Sequence, residues 1–321
     1  MEISRIAKIY RVKPNTLEKQ YKNNLSGFPE YEEAHEKKFR EEAFVFPENF
    51  GENMSIDETG LINGNLYTLL VNKAAKGKRG SLAAIIKGTK ANIITDAILD
   101  AVPLKKRLEI KEITLDLANN MDWIARQIVP QGLHTYDRFH VQQIVSDVVQ
   151  AVRIKFRWEA IEEENTAILN ARAQKQSYFA LLFPNGDTKK QLLARSRYLL
   201  YKPSSKWNDQ QKERAHILFI EFPLIKKAYD LSMYFRNCYE QTTGYMFENW
   251  IQKANESDIK EMKVAARTIE SHLPGILNYF IHRSTNANIE SFNAKLKLFR
   301  RNVRGVNNKN FFLFRLIKYF S

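Results

Sequence analysis

The sequence has few of the residues on which several kinds of protein chemistry depend. Only one of its 321 residues is a cysteine, Cys238, and no Cys-x-x-Cys pair occurs. An intramolecular disulfide and a structural zinc finger are therefore excluded, and the chain suits a reducing cytoplasm. Neither a Gly-x-x-x-x-Gly-Lys-Ser/Thr loop nor a Gly-x-Ser-x-Gly elbow is present, which argues against a P-loop nucleotide site and a serine hydrolase.

Long apolar runs are also missing. No stretch reaches the ~18–20 uninterrupted apolar residues that a membrane-spanning helix needs, and the N-terminus lacks the apolar segment of a signal peptide. We therefore predict a cytoplasmic protein without membrane attachment. Hydrophobic residues still make up 44% of the chain, enough for two domains or for one large domain with an insertion.

Acidic residues are outnumbered by basic ones. The chain has 50 Lys and Arg residues against 36 Asp and Glu residues, a formal net charge of +14. Residues 281–321 hold nine basic residues and the single acid Glu290, and residues 1–24 and 73–90 are further basic segments. An excess of this size indicates a polyanionic partner, and without membrane attachment it favours nucleic acid.

The first residues predict a short pair of helices. Apolar residues of the first helix form one stripe, and Pro14 opens a second helix. The spacing is typical of a helix-turn-helix over residues 1–29, whose second helix would present Asn15, Thr16 and Lys19 to DNA. A plain helical hairpin that packs against the rest of the protein is the alternative.

A mixed sheet is predicted between residues 54 and 136. Three strands in series, followed by alternating helix and strand, indicate a mixed sheet flanked by helices. Asn63-Gly64 is a two-residue hairpin signal between the first two strands. The predicted strands are Met54–Asp57, 66–71, 82–86, Glu112–Leu115 and Leu133–Tyr136, and the predicted helices between them are Lys90–Val102 and Leu117–Val129.

Long helical patterns replace the strand patterns beyond the predicted sheet. We predict an all-helical insertion over residues 141–277, which separates a first part of the α/β core at 54–140 from a second part at 278–321. The acidic, proline-containing stretch 30–53 is interpreted as a linker.

Three acidic residues occupy positions that suit metal chemistry. Asp57 ends the first predicted strand, Asp116 follows the fourth, and Glu290 is the single acid in a basic helix predicted over 286–301. Carboxylates at strand ends of a basic protein favour Mg²⁺, which prefers carboxylate oxygens together with substrate phosphates. For Glu290 the alternative is a surface glutamate in ion pairs.

The predicted helix also gathers polar and basic residues near Glu290. Asn286, Asn293, Lys297 and Arg301 fall on its face at helical spacing, while the apolar residues of the helix form a separate stripe. The predicted helix therefore has one polar, basic face with the carboxylate of Glu290 in it.

Two longer motifs carry a resemblance to a known family. Asp57 and Asp116, the sequence TYDRFHV (135–141) and the sequence TNANIESFNAKLKLFRRNVRG (285–305) together resemble bacterial insertion-sequence transposases. The chain is most similar to the ISL-three family, whose members carry a comparable Asp-Arg-Phe-His motif and a comparable Thr-Asn-x-x-x-Glu-x-x-Asn helix. The resemblance covers roughly residues 54–320 and implies an RNase H-like fold interrupted by the helical insertion.

The resemblance implies a DDE triad of catalytic acids. Carried over to this chain, the triad is Asp57, Asp116 and Glu290, which would bind two Mg²⁺ or Mn²⁺ ions. Asp137 competes for the position of the second acid, although the strand count favours Asp116. On the favoured interpretation, Asp137 and His140 support the site, and an aspartate helix cap with a packed histidine is the alternative for this pair.

The resemblance further implies a DNA transposase that cleaves DNA at the ends of a mobile element and transfers the strands. A catalytically inactive DNA-binding remnant and an RNase H-like repair nuclease are the alternatives. We expect basic residues to hold phosphates and the N-terminal helix pair to read element ends. The DNA-binding candidates are Asn15, Thr16, Lys19, Asn286, Asn293, Lys295, Lys297, Arg300, Arg301 and Arg304.

The same resemblance sets expectations for partners and location. Double-stranded DNA and further copies of the chain in a synaptic complex are the expected partners, in the bacterial cytoplasm at the nucleoid. Related transposases often carry a zinc-binding N-terminal segment that this chain lacks, so a separate N-terminal protein is a further candidate partner.

Overall fold

The computed structural model describes residues 3–240, 245–303 and 308–321, with side chains from Arg5 onward. The chain divides into two compact units. The first combines residues 1–137 with residues 281–321 and contains the sheet. The second, Arg138–Phe280, is built from helices and falls close to the insertion predicted at 141–277.

The sheet of the first unit has six strands in the order β1-β4-β3-β2-β5-β6. The pairs β1–β4, β4–β3 and β3–β2 are antiparallel, whereas β2–β5 and β5–β6 are parallel, so the sheet is mixed as predicted. The strands are β1 (Ala43–Val45), β2 (Asn53–Ile62), β3 (Asn65–Asn72), β4 (Leu82–Lys87), β5 (Glu112–Leu115) and β6 (Leu133–Tyr136).

Helices flank the sheet in the first unit and make up the second. The described helices are α1 (Ile3–Ile9), α2 (Pro14–Gln20), α3 (Phe28–Ala34), α4 (Glu36–Glu41), α5 (Ala91–Ala101), α6 (Leu104–Leu108), α7 (Asn119–Ile128), α8 (Arg138–Ala173), α9 (Lys189–Arg195), α10 (Asp209–Glu221), α11 (Pro223–Cys238), α12 (Tyr245–Asn255), α13 (Lys260–Ser271), α14 (Leu273–Leu277), α15 (Tyr279–His282), α16 (Ala287–Asn302) and α17 (Lys309–Phe320). A π-helical turn, Tyr21–Leu25, follows α2, and the predicted N-terminal helix pair is present as α1 and α2.

The segment predicted as a linker, 30–53, instead forms secondary structure. It contains most of α3, all of α4, and β1, which pairs with β4 at the edge of the sheet. Phe39 and Phe44 are buried there and join the main hydrophobic core. The linker interpretation is wrong because burial of these aromatic side chains outweighs the acidic composition of the segment.

The two faces of the sheet follow from the alternation of side chains along its strands. Asp57 pairs with Leu69 of β3, and directly paired residues share a face of the sheet. The face that carries the aspartate on β2 is therefore apolar on the neighbouring strand β3. Side chains of α16 and α17, including Phe292 and Leu296, pack on that apolar part. Packing of this buried stripe of α16 therefore turns the polar residues of the helix, such as Asn293, toward Asp57.

The helical unit is organised around α8, a helix of 36 residues. Val141, Val145 and Val149 lie on its buried face. Trp250 is fully buried and donates a hydrogen bond from Nε1 to the carbonyl of Leu231 at 2.8 Å. Among the described residues of the whole chain, no helix is both long and apolar enough to cross a membrane.

Candidate active site

Three aspartates lie at one level across three neighbouring strands. Ser55 of β2 pairs with Thr114 of β5, and Leu115 of β5 pairs with Tyr136 of β6, all in parallel register. Continued toward the carboxyl ends of the strands, this register brings Asp57, Asp116 and Asp137 side by side. Alternation then turns the three side chains to the same face of the sheet.

Helix α16 approaches these aspartates with two asparagines. Asn293 Nδ2 donates a hydrogen bond to Asp57 Oδ2 at 2.7 Å. Asn286 Nδ2 donates to Asp116 Oδ1 at 2.9 Å, while the backbone N–H of Asn286 donates to Asp137 Oδ1 at 2.8 Å. One helix therefore contacts Asp57, in the middle of β2, and the aspartates that directly follow β5 and β6.

Glu290 lies between the two asparagines on α16 and is exposed. A carboxylate oxygen of Glu290 and one of Asp137 lie within 4.8 Å of each other. Asp57 and Asp116 are connected to the same helix through Asn293 and Asn286 instead. The site consequently brings both candidates for the second acid to α16, with Asp137 buried and Asp116 half-buried.

The sequence did not single out a buried polar layer next to these aspartates. Glu112 is 1% exposed and accepts hydrogen bonds from Thr135 Oγ1 at 2.6 Å and from Ser284 Oγ at 2.5 Å. Burial lowers the pKa of the Lys73 ammonium to about 8, and the negative charges of Glu112 and Asp137 oppose this shift. The layer therefore combines buried carboxylate and hydroxyl groups with the half-buried ammonium group of Lys73.

The alternation of side chains along β5 predicts this polar layer from the sequence. Glu112, Thr114 and Asp116 alternate along β5 with apolar residues, so all three share a face of the sheet. Ser55 shares it from β2, and its Oγ lies 2.7 Å from Thr114 Oγ1. Polar residues that recur every second position in a central strand predict a polar site rather than a core.

His140 belongs to the first turn of α8, at the start of the helical unit, and is half-buried. Its supporting role, like that of Asp137, stays a prediction.

The basic residues of α16 differ in what they contact. Lys295 Nζ donates to the carbonyls of Lys76 and Gly77, at 3.3 and 3.2 Å. Lys297 and Arg301 are exposed and continue the face of Glu290 toward the end of the helix. Arg300 is half-buried and Arg304 lies outside the described residues.

The N-terminal candidates for DNA contact are on the solvent side of α2. Asn15, Thr16 and Lys19 are all exposed, and no residue of this helix is buried. In the preceding helix, Ala7 is buried whereas Ile9 is 68% exposed. The helix pair thus presents polar and apolar surface together.

The donor set suits a hard divalent cation. The side chains gathered by α16 offer carboxylate and amide oxygens, the type of ligand that Mg²⁺ and Ca²⁺ take. The amide oxygens of Asn286 and Asn293 are buried and accept no hydrogen bond within the described part of the chain. Buried acceptors without donors are rare, and a cation beside them would satisfy them. The residues present therefore fit a bound metal ion.

The model of a protein family described as transposase, the ISL-three type, matches residues 54–316. This match spans the sheet from β2, the whole helical unit, and α16. The chain belongs to this family. Comparison with curated proteins and with solved structures gives no match.

Membership explains the architecture of this transposase. Its six-stranded mixed sheet with flanking helices is the α/β RNase H-like fold of transposases, as the sequence predicted. The family implies a protein of an insertion sequence that binds DNA and acts on it. Transposases generally use divalent metal ions, and Asp137 with Glu290 forms an acidic group suited to one.

Proposed function

We propose that this transposase cleaves DNA strands at the ends of an insertion sequence and transfers them to target DNA with a DDE triad. The observation that carries the proposal is the parallel register of β2, β5 and β6. It aligns three aspartates opposite the helix that bears Glu290. Aligned carboxylates next to a basic helix face suit a reaction of phosphodiesters, because the ligands of the metal and the contacts to phosphate lie side by side.

In the proposed reaction, Asp57, Asp116 and Glu290 would hold two Mg²⁺ or Mn²⁺ ions through their carboxylate oxygens. Such ions, when bound, activate the attacking oxygen and stabilise the leaving oxygen of an in-line displacement. Water first breaks a phosphodiester bond and frees a 3′-hydroxyl at the element end. That hydroxyl then attacks a phosphate of target DNA, so one bond forms as another breaks and a target 3′-hydroxyl is released.

The protein side chains around the triad have positioning and binding roles in this proposal. Asn286 and Asn293 hold the aspartates against α16 through the hydrogen bonds described above. Lys297 and Arg301 are exposed on the same helix and hold the phosphates of the DNA strand. Helix α2 contributes contacts to the element ends through Asn15 and Lys19.

The test uses the full chain and a duplex that carries the DNA flanking its gene. With Mg²⁺ or Mn²⁺, we expect strand cleavage and, with added target DNA, joined products. Asp57→Asn and Glu290→Gln should each lower the cleavage rate by roughly 10²-fold or more, because loss of a charged group that stabilises the transition state has effects of this order. Glu213→Gln, an exposed carboxylate on α10, is the matched control.

Each alternative function predicts a different set of products. An inactive remnant binds the duplex but gives no cleavage with either metal. A repair nuclease gives cleavage without joined products. Normal cleavage by both Asp57→Asn and Glu290→Gln would show that the triad is misassigned.

The second acid is tested separately by comparing Asp116→Asn with Asp137→Asn. We assign the metal-binding role to Asp116 because it is half-buried and follows the strand next to that of Asp57. Asp137 is 2% exposed and accepts the backbone N–H of Asn286, which suits a role in holding α16. Its carboxylate also lies within 4.8 Å of that of Glu290, which makes it the competing metal ligand. Asp116→Asn should therefore abolish cleavage without lowering the melting temperature, whereas Asp137→Asn should lower both. The opposite pattern would exchange the two roles.

A further inference from the structure

Helix α8 has a second apolar stripe besides its buried face. Ile154, Trp158 and Leu169 are 41%, 63% and 63% exposed. Ile161 and Ile168 continue the stripe and are half-buried. The positions 154, 158, 161, 165 and 168 follow one another at alternating intervals of four and three residues, the spacing of a seam between two packed helices.

Three side chains of the stripe, Ile154, Trp158 and Leu169, are exposed in the described part of the chain. Trp158 forms neither a ring contact nor a cation–π contact with another described residue. An exposed tryptophan aligned with exposed aliphatic residues is typical of an interaction surface, since scattered single apolar residues are the norm elsewhere on proteins. Asn165, within the stripe, is the kind of polar seam residue that fixes the register of paired helices.

The charges beside the stripe indicate what kind of surface would cover it. Lys155 and Glu162 are exposed, lie seven residues apart on one flank, and form no ion pair within the described chain. The neighbouring Glu163 and Glu164 differ, because they pair with Lys189 and Lys190. When two copies of α8 pack antiparallel, the same flank of each helix faces the other. Lys155 of one copy then lies opposite Glu162 of the second copy, so the charges are complementary.

We propose that this stripe is a self-association surface, on which α8 of a second copy of the chain packs antiparallel. A two-fold axis near Trp158 brings the two tryptophans together and sets Ile154 of each copy near Ile161 of the other. Lys155 of one copy then faces Glu162 of the other, twice, as a symmetric interface requires. Because the proposal rests on α8 alone, it is independent of the proposed DNA chemistry.

The first experiment measures the mass of the DNA-free full chain by sedimentation over a concentration series. We expect a reversible dimer, and Trp158→Ala should raise the dimer dissociation constant at least about tenfold, as for a central aromatic contact. Lys155→Glu and Glu162→Lys should each weaken the dimer, and the double variant Lys155→Glu/Glu162→Lys should recover it. Glu213→Lys, an exposed charge reversal on α10, should leave the dimer unchanged.

The second experiment tests the direction of packing by disulfide cross-linking. The single native cysteine, Cys238, is buried, and burial raises its pKa to about 12, so introduced cysteines react selectively. Mixed Ile154→Cys and Ile161→Cys chains should cross-link to each other, whereas Ile154→Cys alone should stay largely unlinked. Efficient cross-linking between two Ile154→Cys chains would overturn the antiparallel arrangement.

Two results would overturn the surface itself. One is a chain that stays monomeric throughout the concentration series. The other is a dimer whose dissociation constant is the same in the wild type, Trp158→Ala and both single charge reversals. Melting temperatures measured in parallel should match the wild type, because all substituted positions in the stripe tests except Ile161 are exposed.

Discussion

At the residue scale, the two asparagines of α16 link the candidate acids to one another. Asn286 donates to Asp116 and to Asp137, from its side chain and its backbone respectively, and Asn293 donates to Asp57. The sequence predicted both asparagines as DNA contacts, whereas in the structure they are 1% and 8% exposed. Helical spacing places both asparagines on one face of the helix with Glu290, but it carries no information on which groups lie opposite that face.

We predict that these amides support metal binding. Asn286→Ala and Asn293→Ala should each weaken Mn²⁺ binding by about 10–100-fold, as expected when the groups that orient metal ligands are lost. Asn288→Ala, an exposed asparagine on the same helix, is the matched control and should bind Mn²⁺ normally. Isothermal titration of the full chain measures the affinity, and equal affinities for the three variants would contradict the assignment.

A second residue-scale prediction concerns Glu42, which is 2% exposed. Burial alone would raise the pKa of its carboxyl, but hydrogen bonds from Lys87, Tyr67 and Lys309 outweigh burial and hold that pKa below its usual range. A carboxyl with a lowered pKa adds stability above its unfolded-state pKa of about 4.3, and this contribution is lost as the pH falls through the folded-state pKa.

Glu42→Gln should therefore lower the free energy of unfolding at pH 7 by about 2 kcal/mol, the order expected for lost hydrogen bonds to charged groups. Its stability should also fall less steeply than that of the wild type below about pH 4.3. Urea denaturation at several pH values measures both effects. Glu41→Gln, at an exposed neighbouring position, should follow the wild type, and parallel pH profiles for the two variants would refute the prediction.

At the scale of elements, the sequence predicted the turns and strands that are marked by a pattern of neighbouring residues. The Asn63-Gly64 turn formed as predicted, with positive φ at both residues. The five predicted strands correspond to β2 to β6, but the predicted end of the first strand at Asp57 is wrong, because β2 continues to Ile62 through its pairing with β3. The strand β1 was missed because it has only three residues and its pairing with β4 joins Ala43 to Ile86, far apart in sequence. The alternation of apolar and polar residues that identifies a strand needs more residues than β1 has. The pairing of β1 with β4 joins distant parts of the chain and leaves no pattern among neighbouring residues.

The turn between β2 and β3 yields an element-scale prediction. Gly64 has φ of +79°, a conformation that side chains with a Cβ rarely adopt, whereas Gly60 in β2 is not in this region and has open space around it. Gly64→Ala should therefore destabilise the protein by about 1 kcal/mol, and Gly60→Ala should be close to neutral. Thermal and urea denaturation compare the two variants, and equal losses would mean that backbone conformation does not decide the effect.

At the scale of the whole molecule, charge was the most informative property of the sequence, but its total did not say which groups are available. Lys295 stays a predicted DNA contact, and in the structure its ammonium donates to two backbone carbonyls. Glu112 is buried and Lys73 is half-buried, a difference that the composition does not reveal. The net charge of +14 therefore predicts the class of partner, while the fold decides which cations remain exposed to bind it.

The salt dependence of DNA binding distinguishes the effect of net charge from that of the exposed cations on α16. Each phosphate that the protein neutralises releases counterions, so the logarithm of the binding constant falls with the logarithm of salt concentration in proportion to the number of contacts. The exposed Lys297 and Arg301 should contribute to this slope, and the double variant Lys297→Ala/Arg301→Ala should reduce its magnitude by about two. Lys37→Ala/Lys38→Ala removes the same charge from exposed positions on α4, beside Glu36, and should leave the slope nearly unchanged.

Fluorescence anisotropy with a duplex of arbitrary sequence measures the slope for both variants. If they reduced the slope equally, net charge rather than the face of α16 would govern DNA binding.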